Sequence, residues 1–118
     1  MKFEVKQKDI LDQSSGQFLV EIEEYDKGHL VYKYQDGTYY LDVDDTDLSL
    51  RYEAKDTRTV MTSHNKMGSC IVENSLGKLE FELYVLQQVV KDNHIWVEYK
   101  LFQQGMVVSH FIYEWKGR

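Results

Sequence analysis

The chain lacks proline altogether and holds one alanine, Ala54, and one cysteine, Cys70, in 118 residues. A helical bundle leans on alanine as its best helix former, so an all-helical architecture is disfavoured. Without proline, a proline-rich linker and a collagen-like repeat are excluded. A lone cysteine forbids an intrachain disulfide and a four-cysteine zinc site. No apolar run approaches the roughly 20 residues that a helix needs to cross a bilayer. Positive charge is also scarce: 14 Lys+Arg against 20 Asp+Glu give a net charge of -6. Nucleic acid and anionic membrane both demand a cationic footprint, so neither is an expected partner. The segment Met1–Asp9 is charged where a secretory signal would be apolar, and a reduced, cytoplasmic setting is the expectation.

Aromatic residues are plentiful: nine tyrosines, five phenylalanines and two tryptophans. These types suit a pleated, half-buried surface. Apolar residues alternate with polar ones from end to end. Phe3 and Val5 open the pattern, followed by Phe18, Val20 and Ile22, then Leu30, Tyr32 and Tyr34. Next come Tyr39, Leu41 and Val43, then Leu48, Leu50 and Tyr52. Further on stand Leu79, Phe81, Leu83 and Val85, then Ile95, Val97, Tyr99 and Leu101. A period of two puts each set on one face of a strand.

Turn chemistry separates the runs: Ser14-Ser15-Gly16, Asp26-Lys27-Gly28, Asp36-Gly37 and Gln103-Gln104-Gly105. Each supplies glycine where a positive φ is wanted, and Asp-Gly between alternating runs is a strong hairpin signal. Within residues 54–75, Arg58–Ser63 and Ser69–Glu73 read as short strands and His64–Gly68 as a loop. The whole is a single all-β domain, residues 1–118, with a meander of about eight to ten strands. Short links favour closure into an antiparallel up-and-down barrel, closed or nearly so, over a two-sheet sandwich. Lys2, Lys6 and Lys8 share one face of the first strand and read as a solvated edge guarded against aggregation. Met106–Trp115 is apolar on both faces, and Trp96 and Phe102 lie on a nominally outer face. Cover from within the chain is expected there, with a homodimer as the alternative.

Several segments carry a family likeness: Gly28-His-Leu-Val-Tyr-Lys-Tyr34, Leu48-Ser-Leu-Arg-Tyr52, Val60-Met61, Asn74-Ser-Leu-Gly77, Val97-Glu-Tyr-Lys-Leu101 and Ser109-His-Phe-Ile-Tyr-Glu-Trp115. From about Glu21 onward the chain resembles the YwiB-like family, small bacterial proteins of uncharacterised function. The resemblance implies a lipocalin-like, calycin-type barrel and no active site. Where that family usually reads Thr-Pro-x-Gly, this chain has Ser75, Leu76 and Gly77, and the arginine-glycine turn that often precedes it has no counterpart near His64-Asn65.

Local motifs for catalysis and metal binding are weak. Asp42, Asp44, Thr46 and Glu53 fall at calcium-loop positions, but Asp47 stands where an EF-hand needs glycine and the flanks are strands. Neither His-x-His nor His-x-x-x-His spacing occurs among His29, His64, His94 and His110. Glu21/Glu23 and Glu80/Glu82 sit roughly 6.5–7 Å apart along a strand, a glycosidase-like separation, but opposite apolar faces and hence toward water. Gly68-Ser69-Cys70 is no nucleophile elbow, and no Gly-rich phosphate loop exists. No metal, cofactor or catalytic residue is assigned. The informative group is a set of inward aromatics: Tyr32, Tyr34, Tyr39, Tyr52, Phe81 and Tyr99. Buried hydroxyls need partners, found either in a filled core whose hydroxyls reach the rim or in a small amphipathic or aromatic molecule bound in the interior. The expected function is therefore non-enzymatic, with a small-molecule ligand inside or a protein partner outside. The alternative is a cryptic enzyme using His64 or His110 with a nearby carboxylate.

Overall fold

The computed structural model describes residues 1–118 and contains ten strands and no helix. They are β1 (Lys2–Asp9), β2 (Ser14–Asp26), β3 (His29–Tyr34), β4 (Gly37–Val43), β5 (Asp47–Glu53), β6 (Thr57–His64), β7 (Met67–Asn74), β8 (Gly77–Lys91), β9 (His94–Gln103) and β10 (Met106–Gly117). Each strand pairs antiparallel with its neighbours in sequence, and β1 pairs with β10 to close the barrel. Of 84 backbone–backbone hydrogen bonds, 75 lie inside strands, so a proline at most positions would delete a ladder donor. With no helix, nothing helical is long and apolar enough to cross a membrane.

Closure corrects the reading of the lysine strand. β1 is bonded on both sides, Phe3 opposite Gly117 on one flank and opposite Val20 on the other, so Lys2, Lys6 and Lys8 guard no edge. The proposed loop at His64–Gly68 is also shorter than expected. β6 runs to His64 and β7 starts at Met67; Asn65 and Lys66, both with positive φ, form a two-residue turn whose twist matches the strands. Two glycines are not turn residues. Ser14–Gly16 belongs to β2, the turn lying earlier with Gln13 at φ 54. Between β3 and β4 the residue with positive φ is Gln35, and Gly37 pairs with Tyr34.

Bulges interrupt the alternation at three places. Single extra residues occur at Glu23 in β2, Leu86 in β8 and Val108 in β10, shown by register shifts against the facing strands. Each one moves the following side chains to the opposite face. Hence Val107 lies opposite the outward Phe102, while Ser109, Phe111, Tyr113 and Trp115 face the inward residues of β9. Part of the apparent two-sidedness of β10 is this change of phase. The rest is real: no second layer covers the outer wall, and Trp96, Phe102 and Ile112 stay half-buried on it.

The core runs continuously along the barrel interior. Phe3, Val5, Leu30, Leu41 and Val85 have no exposed surface, and Tyr32, Ile95, Val97 and Trp115 are almost as inaccessible.

Candidate functional site: the aromatic mouth of the barrel

The two ends of the barrel differ. At the end carrying the β2–β3, β4–β5, β6–β7 and β8–β9 turns, Phe3, Leu30, Val43, Leu48, Ile95 and Trp115 are buried, and Tyr25, packed beside Phe3, is half-buried. The opposite end carries the β1–β2, β3–β4, β5–β6, β7–β8 and β9–β10 turns. Near it the inward residues Phe18, Tyr34, Tyr39, Tyr52, Phe81 and Phe111 are only half-buried, packed on the core but touched by solvent. Strand alternation aims all of them inward, and cross-strand pairing puts Tyr39 beside Tyr52 and Tyr32.

The rings pack in three groups. Phe18 lies on Tyr34 with centroids 3.9 Å apart. Tyr39 bridges Tyr32, at 5.0 Å, and Tyr52, at 4.6 Å. On the other wall Tyr113 stacks on Trp115 at 5.5 Å and lies 6.3 Å from Tyr99. Tyr52 also covers Gly37: a Cβ there would stand 2.1 Å from its ring, so the glycine makes room for the tyrosine.

Of the six residues expected to line the interior, Tyr34, Tyr39, Tyr52 and Phe81 are half-buried against the core. Tyr32 and Tyr99 are buried within it. None of the five principal surface depressions is lined by a tyrosine of this set, and Phe81 borders one of them. Three contributors were missing from the sequence set. Phe18 and Phe111 are visible in the alternation. Asp9 is not; it pairs with Phe111 and Ser14 at the rim only because β1 meets both β10 and β2.

Buried hydroxyls find partners within the chain. The Trp115 Nε1–H donates to Tyr32 Oη at 3.0 Å, and the Tyr113 hydroxyl donates to Gln7 Oε1 at 3.0 Å. Burial raises the Tyr99 phenol well above its usual range, with the tyrosine at 113, Cys70 and Asp9 adding to the effect. Burial likewise pushes Tyr113 up to about 12. These phenols therefore stay protonated at neutral pH.

The four histidines are spread over the outer wall. All four histidines point outward, each against a carboxylate of an adjacent strand. His29 Nδ1 lies 2.6 Å from Asp42, His64 Nδ1 2.5 Å from Asp47, His94 Nε2 2.5 Å from Glu114, and His110 Nε2 2.7 Å from Glu98. Neither His64 nor His110 lines any of those five depressions. The acidic hairpin is a turn device: Asp44 Oδ1 accepts the backbone N–H groups of Thr46 at 2.9 Å and Asp47 at 2.7 Å. Those two donors lower the Asp44 pKa. No set of three His, Cys, Asp or Glu side chains converges on a metal position. Cys70 points inward, and burial raises its thiol to about 11, which leaves little thiolate at neutral pH.

Together these features define a closed ten-stranded antiparallel barrel with half-buried aromatics gathered toward one end. No family model matches the chain, and no curated protein does. Among solved structures it is similar to the crystal structure of the ywiB protein from Bacillus subtilis, at 12% identity over 99% of this chain and 90% of that one, with a TM-score of 0.39.

Proposed function

We propose that the protein is a non-enzymatic binding barrel that holds a small amphipathic or aromatic molecule on its ring-lined mouth. One observation carries this reading: six inward aromatics are half-buried at one end, whereas at the other end Tyr25 alone is. Flat rings with protonated hydroxyls offer stacking faces and hydrogen-bond donors together, which suits a ligand with an apolar body and a polar edge. The same reading makes the chain a divergent YwiB-like protein with a lipocalin-like barrel, on the strength of the segments that form β3, β5, β9 and β10. A reducing cytoplasmic setting fits its one inward-facing cysteine.

The neutral fluorophore N-phenyl-1-naphthylamine tests it. Saturable fluorescence enhancement is expected with the folded protein. Tyr39→Ala should weaken binding about three- to tenfold, the equivalent of one aromatic contact. Tyr84→Ala on the outer wall should leave it unchanged. No enhancement, or equal binding by folded Tyr39→Ala protein, would overturn the reading.

A further inference from the structure

We infer that the outer wall carries a second ligand site: a groove across β2, β1, β10 and β9 that takes a small planar aromatic anion. The groove encloses about 500 Å³. Its apolar floor is Trp96 and Ile112, and Lys6, Lys8, Gln17 and Glu114 line it too, the Glu114 carboxylate turned to His94 at 2.5 Å.

Register assembles it. Lys8 stands opposite Ile112, and Lys6 opposite Glu114, which in turn stands opposite Trp96. The span from Lys6 to Trp96 therefore crosses two strand spacings, about 10 Å. That is the length of a two-ring aromatic with an acidic head group. An indole face binds such a ring by stacking, and lysine ammonium groups bind the head by charge-assisted hydrogen bonds.

The neighbouring acids are engaged elsewhere, so the lysines remain available. Glu114 faces His94 at 2.5 Å, Glu98 faces His110 at 2.7 Å, and Glu4 takes Arg118 at 2.8 Å. Lys6 reaches Glu4 only at 3.7 Å, and no ion pair holds Lys8. Two lysines beside a half-buried tryptophan stand out on a chain of net charge -6. Closure of the barrel removes the other reason for lysines here, since β1 has no free edge to protect.

Trp96 and Trp115 give the test its readout, because the chain has only these two indoles. The Trp115 N–H is bonded to Tyr32 in the core, whereas Trp96 faces the groove. The ¹⁵N-labelled full chain is titrated with 2-naphthoate, 2-naphthyl phosphate and neutral 2-naphthalenemethanol. The Trp96 indole signal should move saturably with an anionic probe while the Trp115 signal stays; whichever probe acts identifies a carboxylate or phosphate head group. The double variant Lys6→Gln, Lys8→Gln, its fold checked by an unshifted Trp115 signal, should bind about tenfold more weakly. An unmoved Trp96 signal at millimolar probe, equal binding of the neutral alcohol, or undiminished binding by the double variant would each refute the groove. Shifts confined to Tyr34 and Tyr39 amides would also refute it while supporting the mouth.

Discussion

His29 sits between two carboxylates, with Nδ1 2.6 Å from Asp42 and Nε2 3.8 Å from Glu24. The Asp42 hydrogen bond is the main reason its pKa is raised, with partial desolvation opposing it. A raised value in the folded state means that protonated His29 stabilises the fold fully below about pH 6.5, the unperturbed value. That contribution fades as pH rises through the raised value. Proton NMR titration of the imidazole should give a midpoint above the ordinary one, and Asp42→Asn should bring it back down. A second residue-scale prediction concerns Tyr32, whose oxygen accepts the buried Trp115 N–H across the interior. Tyr32→Phe leaves that donor without a partner and should cost about 1–3 kcal/mol in urea unfolding. Outward placement of the histidines follows from alternation, but their acidic partners depend on register. His110 meets Glu98 diagonally, a pairing that no local spacing reveals.

At the scale of the strand, glycine positions separate space from conformation. Gly68 in β7 has no positive φ, yet a Cβ there would stand 1.8 Å from the Thr62 carbonyl oxygen and 2.6 Å from Ser63 Cα. Both are backbone atoms of β6, which cannot swing aside as a side-chain tip can. Gly68→Ala should therefore destabilise by about 1–3 kcal/mol, the usual cost of overpacking. Gly16, in a strand with nothing within 4 Å of its would-be Cβ, supplies the control. Gly16→Ala should change stability by no more than about 0.5 kcal/mol. Paired denaturant melts check the contrast, and equal effects would show that the β6–β7 approach is looser than described. Nine of ten strands were legible as alternating runs or short strands near their observed places. The turns at Gln13 and Gln35 were not, because a polar residue took the positive φ while the nearby glycine entered a strand. Bulges were hidden for a related reason: Glu23 and Leu86 look like ordinary members of their runs, and only the facing strand exposes the extra residue.

For the whole molecule, closure is the decisive event. Pairing β1 with β10 joins segments from opposite ends of the sequence, from Phe3 with Gly117 to Asp9 with Phe111. It removes every free edge, turns a lysine-bearing strand into one wall of a groove, and carries Asp9 to the aromatic mouth. The sequence by itself determined the all-β class, the antiparallel meander and the inward course of Tyr34, Tyr39, Tyr52 and Phe81, because side-chain alternation is a local property of the pleat. Its lack of proline and near-lack of alanine agree with a chain that is almost all hydrogen-bonded strand. Only the tertiary structure decided the strand number, the bulges, the gathering of half-buried aromatics toward one end, and the burial of Tyr32 and Tyr99 below the mouth. Those depend on register between strands and on closure, where residues far apart in sequence acquire neighbours that no local pattern encodes.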